Sequence, residues 1–211
     1  MQRLAQRVLM VVIVRRNALL PTARKTTMCR IPGIDPITAT QATRQLLDRT
    51  ELKFGMVPMM VRTMAQSHAA LAGWTALSGA LESGTLSERI RVLIALAVAQ
   101  ANSSNYCLAL HTALGERLGL EPQERLDARR GHAADAKEFA VLRFALAIVE
   151  THGRVSDDTL ALSRAAGLTD TELCEVSAHV ALNLLTNYFN RLADTDIDFP
   201  KVDARLPSVA G

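Results

Sequence analysis

The chain has 211 residues, 49% of them hydrophobic and only 4% aromatic, with 24 Lys or Arg against 21 Asp or Glu. That length and apolar content exclude a disordered chain and support one domain with a substantial core, and abundant Ala and Leu favour close-packed helices over sheet. The formal charge of +3 excludes less than it suggests: Arg3, Arg7, Arg15, Arg16, Arg24 and Lys25 precede Met28 with no acid before Asp35, and removing those six leaves 18 basic against 21 acidic residues, a net of −3 with no basic face for nucleic acid.

Residues 1–27 hold a short apolar run, Val8 to Val14, flanked by arginines. It is far below the ~20 residues that span a bilayer, so no membrane segment is expected. The stretch reads as a basic extension outside the fold, with residues 28–211 forming the domain; a crude signal or an Arg-rich transit peptide is the alternative, though no clear small-residue cleavage site follows it. Pro32, Gly33 and Pro36 punctuate the entry to the fold. A helix is expected from Thr38 to Leu52, capped by Thr38 or Thr40, and Gly55 and Pro58 close it. Met56, Met59, Met60 and Met64 form a cluster whose simplest use is packing. The next helix, about Ser67 to Leu81, contains Trp74, the single tryptophan.

After Gly84, Thr85-Leu86-Ser87-Glu88 has capping-box spacing, which gives Glu88 a structural task. Apolar periodicity then runs from Leu93 to Leu118, surrounding the axis between Ile90 and Gln100 as in a buried helix. Ala101-Asn102-Ser103-Ser104 interrupts it with residues that favour caps and turns. Immediately beyond lie Cys107 and His111, four apart and therefore on one helix face. An imidazole that takes the thiol proton, or stands as a cation beside it, biases cysteine toward the nucleophilic thiolate, and a helix start adds the positive end of the dipole.

Gly119, Pro122 and Gly131 delimit a further helix, and Phe139 to His152 forms another, closed by Gly153 with His152 at its cap. Ser156-Asp157-Asp158 and Thr169-Asp170-Thr171-Glu172 read as helix starts, the second as a capping box. The last long helix, Glu172 to Ala193, contains His179, expected as a core or interface histidine, and Cys174, expected as a buried apolar filler. Asn187, Tyr188 and Asn190 read as structural, with a buried Tyr188 able to face the site. Cys29, Cys107 and Cys174 are too few and scattered for a disulfide framework, which fits a reducing, cytoplasmic setting. Apart from Cys107 and His111, no pair has ligand spacing on one helix face, so no metal is expected.

The motif Ser104-Asn105-Tyr106-Cys107-Leu108-Ala109-Leu110-His111 resembles the Cys-x-x-Cys-x-x-x-His of the alkylhydroperoxidase D and carboxymuconolactone decarboxylase family, with Ser104 in place of the first cysteine. Lys53-Phe54-Gly55-Met56-Val57-Pro58, Leu142-Arg143-Phe144-Ala145, Gly153-Arg154-Val155-Ser156 and Asn187-Tyr188-Phe189-Asn190 with Asp198-Phe199-Pro200 are similar to its peroxidase-related branch. The resemblance, covering roughly residues 30–203, implies an all-α, alkylhydroperoxidase D-like helical bundle with a buried motif helix. It implies catalysis by Cys107 and His111 with Ser104 as hydrogen-bond donor. The family's relay glutamate would fall at Val92, which leaves Glu88, one turn earlier, as the substitute relay.

The implied activity is an antioxidant oxidoreductase of the peroxidase kind, without cofactor, in which Cys107 reduces a small hydroperoxide. Because Ser104 cannot close a disulfide, an external thiol reductant is then required. A cofactor-free lyase acting on a small acid through His111, and a non-catalytic binding or assembly module, are the alternatives. A homo-oligomer, trimer or hexamer, is also implied, with the closing Asp198-Phe199-Pro200 and the last helix at its contacts.

Overall fold

The computed structural model describes residues 29–206, so the basic extension of residues 1–27 lies outside the described residues. Among the described residues the secondary structure is helical throughout, as expected for an all-α chain. These residues divide into two compact units: one runs to Ala76 and includes Leu192–Phe199, and the other comprises Leu77–Arg191 and the chain from Pro200.

In the first unit, a 3₁₀ turn at Pro36–Thr38 precedes α1 (Gln41–Phe54). The helix starts later than the expected Thr38 because Asp35 caps the 3₁₀ turn, and Thr40 caps α1 by accepting from the Thr43 N–H at 3.3 Å. Gly55, at φ 77°, closes it in the left-handed conformation that costs glycine least. Helix α2 (Met59–Met64) buries Met60 and Met64, the packing use expected of that cluster. Its first N–H, that of Met59, donates to Asp198 Oδ2 at 2.6 Å. The closing Asp198 is thus engaged within its own chain. Helix α3 (His68–Glu82) follows.

The second unit contains α4 (Glu88–Ala101), α5 (Asn105–Arg117), α6 (Pro122–Arg129), α7 (Ala136–Thr151), α8 (Asp157–Ala165) and α9 (Asp170–Ala193). Helix α4 is its axis, packed by α5, α6 and α7. Every residue from Val92 to Ala99 is buried, as the all-round apolar pattern requires. One side of α4 joins Ile94 and Val98 to Val141, Phe144, Val176 and Val180. The other side joins Val92, Leu93 and Leu96 to Leu120, Leu142 and Leu146.

Three expectations are corrected here. Thr85 and Glu88 do not form a capping box: Ser87 caps α4 by accepting from the Ile90 N–H at 3.2 Å. The Thr85 and Leu86 N–H groups instead donate to the Glu175 carboxylate of α9, at 2.8 and 3.0 Å. A carboxylate from a distant helix satisfies the donors that the local motif would have served. The Thr169–Glu172 box does form, with reciprocal bonds of 2.9 and 3.2 Å. Cys174 is exposed, because Leu173, Val176 and Val180 turn the opposite face of α9 to the core. Tyr188 is 57% exposed and does not face a buried site. No helix among the described residues is long and apolar enough to cross a membrane.

Candidate functional site

The apolar run from Leu93 to Leu118 is not one helix. Asn102 ends α4, and Ser103 takes φ 50°, a left-handed conformation that costs a non-glycine residue roughly 1 kcal/mol or more. The turn is held locally by the Ser104 N–H, which donates to the Ala99 carbonyl at 2.9 Å, and by Asn102 Nδ2, which donates to the Val98 carbonyl at 2.8 Å. It is also held from α9: Asn102 Nδ2 donates to Asn187 Oδ1 at 3.3 Å, and the Arg191 guanidinium donates to the Asn102 carbonyl at 2.8 Å. The consequence is chemical. Helix α5 begins just before Cys107, which falls in its first turn, where backbone N–H groups lack helical acceptors and the dipole favours negative charge.

Cys107 is 1% exposed. Its sulfur receives a hydrogen bond from Asn190 Nδ2 at 3.4 Å, and the thiol points to Thr186 Oγ1 at 4.0 Å. Thr186 Oγ1 itself lies 3.0 Å from the Asn183 carbonyl and 3.3 Å from that of Leu182, which leaves it an acceptor toward the thiol. Asn190 and Thr186, the residues nearest the sulfur, were not candidates on sequence grounds. The signal was present in the polar residues Asn183, Thr186, Asn187 and Asn190, spaced three or four apart along a helix that is otherwise apolar on its inner face.

Ser104 is fully buried at the N-cap of α5, yet its side chain does not cap the helix and its Oγ has no partner among the described residues. His111 stands one turn beyond Cys107 on α5, half-buried, with Nδ1 enclosed and also without a partner. Burial pushes its imidazole down to about 4, so it is neutral at physiological pH. No hydrogen bond joins His111 Nδ1 to Cys107. The same-face spacing is therefore realised, whereas a cationic imidazole beside the thiol is not, because burial holds the ring neutral.

Val92, the position implied for a relay glutamate, is buried among Leu93, Leu96, Leu120 and Leu142. Glu88 is exposed, and its Oε1 lies 3.8 Å from the Arg117 guanidinium at the far end of α5, nearly three turns past Cys107. The structure does not bring Glu88 to Cys107. Glu88→Gln is accordingly expected to leave peroxide turnover within about twofold of the wild type and stability within ~0.5 kcal/mol, as for an exposed pair; a tenfold loss in a steady-state assay would reinstate it as a relay.

Residues 68–151, which span α3 to α7, match the model of the carboxymuconolactone decarboxylase family. Solved structures of the same fold carry the alkylhydroperoxidase D likeness. The matched segment is similar to the carboxymuconolactone decarboxylase family, and the fold is that of alkylhydroperoxidase D-like structures. An uncharacterized peroxidase-related protein from Ralstonia eutropha JMP134, with an alkylhydroperoxidase AhpD core, superposes with a TM-score of 0.73 at 22% identity, over 80% of this chain and 92% of its own. A peroxidase-related protein from Silicibacter sp. TM1040 gives 0.70 at 22% identity, over 82% and 95%. The apo debrominase Bmp8 gives 0.68 at 17% identity, over 82% and 94%. At these identities the likeness is one of fold, and the family fold houses more than one named activity. No curated protein matched the chain. The polar surroundings of Cys107 in this chain come from the last helix.

Proposed function

We propose that this protein is a peroxidase-like, thiol-dependent enzyme of the alkylhydroperoxidase D kind that reduces small hydroperoxides through Cys107 alone. The reading is carried by one observation: a cysteine in the first turn of a buried helix whose sulfur accepts a hydrogen bond from the Asn190 amide at 3.4 Å. A donor aimed at sulfur steadies negative charge that develops there during attack and later the oxygen-bearing product, and the helix start adds to both effects. Neutral His111 takes the thiol proton and returns it to the departing alkoxide.

The sulfur attacks the distal peroxide oxygen, the S–O bond forms, the O–O bond breaks, and an alcohol and a sulfenic acid result. Ser104 has no sulfur with which to resolve that acid, so a small external thiol completes the cycle. The near-complete burial of Cys107 restricts the substrate to small hydroperoxides. A lyase that depends on His111 is less well supported, since it makes no use of the hydrogen bond from Asn190 to the Cys107 sulfur.

The test is sulfenic-acid trapping with one equivalent of an organic hydroperoxide and dimedone, mapped by mass spectrometry. A selective adduct on buried Cys107 over exposed Cys174 supports the proposal, because exposure alone favours the opposite order. Equal labelling, or labelling of Cys174 first, overturns it.

A further inference from the structure

We propose that Asn190 is the positioning residue of the Cys107 site, its Nδ2–H fixing the sulfur and its Oδ1 receiving the hydroxyl hydrogen of the incoming hydroperoxide and then of the sulfenic acid. The inference rests on the peroxidase reading and adds the residue that makes it work without a second cysteine or a relay glutamate. Asn190 is 4% exposed, and while its Nδ2 is spent on Cys107, its Oδ1 is buried without a partner among the described residues. Such an orphan acceptor is costly unless something fills it.

It is not isolated. Asn187 Nδ2 and Ser104 Oγ, each on a residue with no exposed surface, are also unpartnered, and both residues belong to the elements that enclose Cys107. Asn187 is fixed by the bond its Oδ1 receives from Asn102, which leaves its amide hydrogens uncommitted. Asn190 Oδ1, on the residue that donates to the sulfur, supplies an acceptor, and Asn187 Nδ2 and Ser104 Oγ supply donors on the same two helices, a combination complementary to a small molecule bearing both an O–H and oxygen lone pairs. A hydroperoxide has both.

Other groups on the packed helices do not substitute. His111 is neutral, Arg191 is committed to the Asn102 carbonyl at 2.8 Å, Thr186 Oγ1 is directed to backbone carbonyls, and His179 lies a further two turns along α9 from Thr186. In the step itself the thiol and ROOH become the sulfenic acid and ROH. Sulfur loses two electrons to the peroxide bond, and the thiol proton passes to RO⁻.

The test compares sulfenic-acid formation in the wild type and Asn190→Asp at two pH values. The introduced carboxyl is isosteric: ionised it offers no donor to sulfur, and protonated it offers one. The expected wild-type-to-variant rate ratio is at least tenfold at pH 7.5 and falls to threefold or less at pH 5.5 as burial helps the carboxyl protonate. A ratio under threefold at pH 7.5, or a deficit equal at both pH values, overturns the proposal, since a purely structural role has no reason to track the state of that carboxyl.

If Asn190→Asp does not fold, Asn190→Ala serves. A tenfold deficit at pH 7.5 that added formamide reduces by at least threefold is expected, and a deficit that formamide leaves unchanged overturns the proposal. The two readings fail separately: absence of a selective Cys107 adduct in the wild type removes the peroxidase function, whereas a wild-type adduct with an unimpaired Asn190 variant removes only the role of Asn190.

Discussion

Cys107→Ser is expected to lose peroxide turnover by about a thousandfold or more, because serine's hydroxyl at the same site is neither ionised nor able to form the sulfenic acid on which the second half-reaction depends. The structure makes this a clean substitution. Serine is nearly isosteric, and polar atoms, Asn190 Nδ2 and Thr186 Oγ1, flank the position its hydroxyl would take. His111→Gln is expected to slow turnover about a hundredfold, the usual size of a proton-transfer contribution. The order of the two effects separates the mechanisms. A thiol peroxidase requires the cysteine absolutely and the imidazole partly, whereas a lyase that works through His111 reverses that order. Steady-state assays on an organic hydroperoxide with a small thiol reductant decide the matter, and Cys107→Ser retaining more than a tenth of wild-type activity would defeat the one-cysteine mechanism.

The second large effect is on stability. Burial pushes both His111 and His179 down to about 4, with the positive charge of Arg91 adding to the effect at His179 and Glu175 opposing it. Each native value lies below the ~6.5 of an unfolded histidine, so the unfolded chain binds more protons between about pH 4 and 6.5. Stability is therefore full above pH 6.5 and is lost as the pH falls through that window. Linkage puts the loss at about 2 kcal/mol per histidine by pH 5 and about 3 by pH 4, a large part of the usual 5–15 kcal/mol.

The carboxylate of Glu172, held below the usual range first by the hydrogen bond from Lys137, contributes in the same direction but only below about pH 4.5. A loss already evident at pH 5.5 thus belongs to the histidines. Urea unfolding at pH 7.5 and 5 is expected to show a clear fall in midpoint. His179→Gln is expected to flatten it by roughly half, since glutamine can fill the 4%-exposed site without acquiring a charge. Identical midpoints at the two pH values would show that the rings are not enclosed as described.

The amino-acid sequence by itself determined the helical class, most helix boundaries and the placing of Cys107 and His111 one turn apart on one helix. Local rules suffice there. Helix α4 is apolar on every side, Thr169 and Glu172 cap α9 reciprocally, Ser156 starts α8, and Ser103-Ser104 marks the break that puts Cys107 in a first turn. Such signals act over three or four residues and survive whatever the rest of the chain does.

What only the tertiary structure decided are the partners that arrive from far along the chain. Glu175 displaced the local capping box at Thr85 by supplying its carboxylate across 90 residues of sequence. Asn190 and Thr186 reached Cys107 across 83 and 79. Whether Cys174 or Tyr188 would be buried depended on which face of α9 met α4, and whether His111 would be charged depended on how deeply packing enclosed its ring. Periodicity finds a face, but burial, long-range hydrogen bonds and local dielectric are properties of two packed surfaces, and neither surface alone contains them.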